Sequence, residues 1–134
     1  AEYADVAERY HADKPYDAGT VVKIGGEHEI TETDVALDSE VFGIISTHPG
    51  VELNAGAGPD ETHPFVAIAG RVPCKVIGPV RKGQRLVTSE ENGVARAPQD
   101  QEGEADDWYR VVGRALEHKD TESVGMVEVV VGRM

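Results

Sequence analysis

One cysteine, Cys74, in a chain of 134 residues leaves no partner for an intrachain disulfide and no thiolate set for a cysteine-based zinc site. Basic residues are scarce as well: 13 Lys and Arg stand against 25 Asp and Glu, a net charge of −12. A surface of that sign repels phosphate backbones and anionic headgroups, which argues against nucleic acid as a partner and against membrane docking. No apolar run approaches the roughly 18 residues of a membrane span, so membrane insertion is not expected either. The chain shows no signal-peptide pattern. It also lacks an initiator Met, which reads as a piece of a longer polypeptide. No Gly-x-Ser-x-Gly elbow is present, and neither GGEHE nor GAG continues into a phosphate-binding loop.

What remains is one domain's worth of chain, 1–134, written mostly in β-type runs broken by Gly, Pro and Asx. GTVVKIGG reads as a strand, with EHEITETD as its hairpin partner. EVFGIIST and PFVAIAGRVPCKVIG, rich in Val and Ile, read as core strands. Pro73 lies inside the second of these and removes a ladder donor, which implies an edge, a bulge or a break at that point. Lys82-Gly83 and Asn92-Gly93 punctuate tight turns, and WYRVVGRALE and VGMVEVVVGRM close the chain as strands. Two polar connections, 47–65 and 98–107, read as surface loops. With roughly eight short strands at hairpin-like spacing and no βαβ alternation, the expectation is a mainly β, compact barrel or sandwich-like domain.

The first twelve residues read differently. Tyr3, Val6, Ala7 and Tyr10 recur at helical spacing and make one apolar stripe, so a short helix is expected as a junction over 1–12. Too short to hold itself in water, it needs a surface to pack on. Tyr3, Val6 and Tyr10 are therefore candidate interface residues, against the β-body or a neighbouring chain. On the other side Asp5 and Glu8 would be helix neighbours, a spacing that can raise one pKa. The bland alternative is two solvated acids near a helix start. Five histidines invite a metal reading. His48 and His63, each in a Thr-His-Pro tripeptide at an end of the 47–65 loop, are the candidate ligands, with Asp60 or Glu61. The spacing matches no standard zinc motif, and polar residues opening and closing a loop explain it equally, so no metal or cofactor is assigned.

A family resemblance runs from about Ala4 to Met134. The segments ADVAERY, YDAGTVV, VFGIIST, VAIAGRVPCKV, VRKGQRLVTS, NGVA, VVGRALE and VEVVVGRM, in that order, resemble the C-terminal domain of bacteriophage tail-fibre and appendage proteins. The likeness is to the fibre-like structural proteins of marine cyanophages. More distantly, the chain is similar to the autoprocessing, peptidase G2-like intramolecular chaperone domain of Bacillus phage neck appendages. Its signatures are the Ala4-Asp5-x-Ala7-Glu8 box, Gly70-Arg71-Val72-Pro73 and the turn running from Gly83 to Ser89. The resemblance implies a virion structural protein: a homotrimeric domain at the end of a fibrous chain, assembled in the host cytoplasm, that helps three chains find register. A role as a host receptor-binding tip, through loops 47–65 and 98–107, is the alternative of the binding class. In some relatives the domain cuts itself free next to the acidic box, which would make Asp5 and Glu8 catalytic in a single turnover. Tyr3 stands before Ala4 where the resemblance leads one to expect a serine, so cleavage either falls upstream or is absent. A shorter segment, IGPVRKGQRLVTSEENGVA, also looks like the β-clip modules of sugar-acid-binding proteins, but it carries no basic cluster beyond Arg81, Lys82 and Arg85.

Overall fold

In the computed structural model, residues 4–132 are described, without the side chains of 105 and 106; Tyr3 lies outside the described residues. Ten strands run in chain order as β1 Asp5–Arg9, β2 Val21–Ile24, β3 Ile30–Glu32, β4 Val41–Ser46, β5 Val51–Leu53, β6 Phe65–Ile77, β7 Arg85–Thr88, β8 Ala95–Arg96, β9 Val111–Ala115 and β10 Gly125–Val131. A 3-10 helix, Ala105–Arg110, leads into β9.

The 13-residue β6 is the spine. Its first half lies between β1 and β4, so that Ala67 pairs with Ala7 on one side and Ile44 on the other. Its second half pairs with β10 from Gly70 to Val76 and, in parallel, with β8 at Val76 and Ile77. From β10 the ladder runs through β9, β7 and β8 back to β6, closing a ring of strands. Closure removes the free edges that short strands would otherwise expose. Within the ring Val72, Cys74 and Val76 are buried while Arg71 and Pro73 face out, a period of two repeated by Val127, Val129 and Val131 on β10. Fully burying a side chain of this size stabilises by roughly 1.5–3 kcal/mol. A second cluster, Ala12, Val22, Ile30, Ile45 and Val66, sits under the other limb and is covered by Tyr10, Tyr16 and Phe42.

The helix expected over 1–12 is not there: residues 5–9 form β1. A segment this short cannot offset the cost of helix nucleation, whereas β6 and β5 offer pairing on both sides. Arg71 N–H donates to Ala4 O at 3.2 Å and Gly50 N–H to Asp5 O at 2.8 Å. Asp5 and Ala7 are buried and Val6 and Glu8 half-buried, so two-residue alternation replaces the helical stripe. The 47–65 connection is likewise not structureless, because β5 pairs in parallel with β1 from Val51 to Leu53. In 98–107, Arg96 clamps Glu102 at 2.7 Å and Gln99 N–H donates to the same carboxylate at 2.8 Å, which fixes the turn.

Pro73 neither breaks nor bulges β6; it sits opposite Glu128 in an unbroken ladder. Glu128 N–H donates to Glu117 Oε1 and its carbonyl accepts from Leu116, so neither group faces Pro73. The absent proline N–H points to the side where β1 has ended and β8 has not begun. No ladder bond is lost.

Candidate functional site

A cleft of about 280 Å³ opens where β1, the end of β4, and the middle of the β6–β10 ladder meet. Ala18, Ile45 and Val72 contribute apolar wall, and Asp5, Ser46, His48, Arg71 and Glu128 contribute polar groups. Pairing with β6 turns Asp5 to the buried face of β1, where it is 6% exposed. Gly70 permits that approach: it sits opposite Asp5 with φ +96°, and a Cβ there would meet Ala4 O and lie 2.9 Å from Asp5 Cα. Arg71 and Glu128 reach the rim from one face of the ladder, since Arg71 pairs with Val130 and Pro73 with Glu128. His48 follows β4, its Nδ1 within 3.2 Å of Thr47 Oγ1.

Asp5 Oδ2 is buried and has no hydrogen-bond partner among the described residues. A buried polar atom left bare costs roughly 1–3 kcal/mol, and more when charged, so such an atom calls for an explanation. Its residue shares the cleft with a guanidinium, an imidazole and a second carboxylate, those of Arg71, His48 and Glu128. That set can hold a polar group or pass a proton between an acid and a base.

The helix-based pairing of Asp5 with Glu8 does not form. Three residues apart on a strand, they point to opposite faces. Glu8 instead lies beside Tyr10, whose phenol is pushed up first by burial and then by that carboxylate. Tyr10 packs edge-on to Phe42 at 4.9 Å, and Val6 sits in the ladder between Val51 and Ala69. His48 and His63 are not brought together either. His48 lines the Asp5 cleft, and His63 stacks on His11; Asp60 is held by Arg9 at 2.7 Å. Among the described residues no group of three His, Cys, Asp or Glu is arranged to hold a metal ion. The cleft residues that sequence reasoning passed over are Arg71 and Glu128. Their one signal was position: charged residues at outward-facing steps of strands whose alternate residues are Val.

With a ring of strands on one long spine and an acid-bearing cleft at its seam, the domain is a mainly β barrel. Solved structures that share its fold include two of a phage protein. The C-terminal fragment of bacteriophage phi29 gene product 12 matches with a TM-score of 0.66 and 13% identity, over 95% of this chain and 99% of that one. The pre-mature phi29 gene product 12 matches with a TM-score of 0.65 and 13% identity, over 98% of this chain and 22% of that one. This chain thus spans about a fifth of the longer protein's length. At such identity the likeness speaks for the fold alone. No protein-family model matches the sequence, and no curated protein does.

Proposed function

We propose that this chain is the C-terminal domain of a phage appendage or tail-fibre protein, part of the virion, and that it folds as a homotrimer which sets the register of the chain it terminates. The observation that carries this is the end-to-end fold match to a C-terminal fragment of a phage gene product, added to the ordered segments that resemble phage appendage domains. The open edge of β5 supports self-association: Val51 and Leu53 are 52% and 40% exposed on a strand that pairs only with β1 among the described residues. An apolar strand edge of this kind is ordinarily covered. Light scattering after size exclusion tests it. The expected mass is about 43 kDa (3 × 14.4 kDa) at micromolar concentration, reduced by Val51→Lys; a clean 14.4 kDa monomer overturns it. Contact with a host surface receptor would fall to the 47–65 and 98–107 segments, beside which Trp108 is 70% exposed.

A second reading, single-turnover self-cleavage, is favoured by one observation: the bare, buried Asp5 oxygen lies at the start of the fold in a cleft with His48 and Arg71. A chain extended upstream of Ala1 tests it. Spontaneous cleavage that Asp5→Asn abolishes supports the reading, and persistence of the full-length chain ends it. Because Glu8 faces away from the cleft, Glu8→Ala run beside Asp5→Asn separates an acid of the cleft from one that acts elsewhere.

A further inference from the structure

Three imidazoles form a column on the limb away from the Asp5 cleft. His28 and His11 stack with centroids 3.7 Å apart and planes 12° from parallel; His11 and His63 stack at 4.5 Å and 10°. The rings come from three separate places: just after β1, the β2–β3 turn, and the end of the 47–65 connection. The backbone holds the three segments at this spacing. His11 O accepts from Glu29 and Ile30 N–H at 2.9 and 3.1 Å, and Ala12 N–H donates to Thr62 O at 2.9 Å. Arg9 Nη1 donates to His63 O at 2.6 Å.

We propose that the His28–His11–His63 column is an acid-opened clasp, in which neutral rings hold the 25–29 turn and the 54–63 segment to the residues after β1 and protonated rings force them apart. Imidazole is the side chain whose charge changes between about pH 5 and 8. Two imidazolium rings held face to face at these spacings repel, and the stacked geometry turns neither ring nitrogen toward its neighbour to relieve it. The carboxylates near the column come from the turn: Glu29, whose Oε1 accepts His11 N–H at 2.7 Å, and Glu27. On the loop side Asp60 is committed to Arg9, and Thr62 Oγ1 lies 2.9 Å from His63 Nδ1. The balance at the central ring falls against the proton. Lost hydration lowers the His11 pKa first, then repulsion by His28 and His63, with Glu29 and Glu27 offsetting part. A base whose folded pKa is depressed contributes stability above its unfolded value, near 6.5, and that contribution is lost as pH falls below it.

Hydrogen exchange on the full chain, corrected for intrinsic rate, reads the clasp directly. Protection at Ala12, Glu29 and Ile30 is expected to drop about tenfold or more between about pH 7.5 and about pH 5.5, while amides of the β6–β10 ladder keep theirs. His11→Asn removes the central ring and should make that protection independent of pH. Should His11→Asn loosen the limb at every pH, His28→Ala decides: it takes one ring off an exposed turn, so the acid drop should shrink and the His11 NMR titration should move up. Equal protection at both pH values in the wild type overturns the proposal. So does a wild-type-sized acid drop that persists in both variants.

Discussion

Gly70 is where a single added carbon should matter most. Its φ of +96° is one that L side chains rarely adopt, and a Cβ would sit 2.9 Å from Asp5 Cα, so neither the residue's own conformation nor the space tolerates alanine. Both β1 and β10 pair at Gly70, so the disturbance cannot be confined to one strand. Gly70→Ala is expected to cost roughly 1–3 kcal/mol, read as a lower urea midpoint at unchanged slope. A midpoint equal to wild type would show that β1 can back away freely. Cys74 is the opposite case, a reactive group rendered inert. It is fully buried among Val side chains, and burial pushes its thiol up to about 12. Since the thiolate is the nucleophile, thiol reagents should label the native protein only as fast as it unfolds and label it at once in denaturant. Fast native labelling would mean that the ring breathes at that point.

Among the elements, the 47–65 connection depends on the last residue of β1. Arg9 Nε donates to Ala55 O at 2.9 Å, and Nη1 donates to Asp60 Oδ1 at 2.7 Å and to His63 O at 2.6 Å. The guanidinium also lies 4.0 Å over the Phe65 ring. Arg9→Ala should cost about 1–3 kcal/mol and open residues 54–63 to limited proteolysis at neutral pH, because two carbonyls lose their donors together. Arg9→Lys should recover only part, since an ammonium lacks the planar fork that reaches several acceptors. If both variants resist protease like wild type, the β1–β5 pairing and the backbone bonds from Tyr10 and Ala12 to Pro64 and Thr62 hold the loop without the guanidinium. The same elements show what could be read from sequence. The runs in β4, β6 and β10 were legible because β-branched residues crowd them and few helical alternatives exist. β1 was not, because in AEYADVAERY the apolar positions suit a helical stripe as well as a ladder, and the choice was made by partners 45 to 65 residues away. Asp5 could be singled out from its place in the acidic box. Its companions His48, Arg71 and Glu128 arrive through ladder register, which sequence spacing does not encode. His48 and His63 looked alike because both sit between Thr and Pro, yet register delivers one to the cleft and the other to the histidine column.

For the molecule as a whole, charge sets the conditions under which it is stable. Of 25 acidic residues at most 13 can find a basic partner one for one, leaving 12 (25 − 13) to repel one another. Among the described residues most of the pairs that form have one well-exposed partner, such as Lys75–Asp17 at 2.6 Å and Lys14–Glu32 at 3.0 Å, while Lys23–Asp38 and Arg96–Glu102 are largely covered on both sides. Each exposed pair is worth only about 0–1 kcal/mol. Salt weakens both terms, but repulsion among unpaired acids acts over longer distances than contact pairs do. It is therefore screened first as the Debye length shrinks from about 30 Å at 0.01 M to about 10 Å at 0.1 M. At neutral pH the thermal midpoint should rise by about 2–5 °C over that range, a shift of the size produced by a change of ~1 kcal/mol in a domain of this length. Acid should act in the other direction on the paired carboxylates. Lys75 holds Asp17, and Arg96 holds Glu102, below the usual carboxylate range. Their contribution is present above the unfolded values and is lost as pH falls through the folded ones. In a trimer the same charges would sum to −36 (3 × −12), so the salt response should steepen with protein concentration as assembly sets in. A midpoint that falls on adding salt would mean that the few ion pairs outweigh the excess of acids.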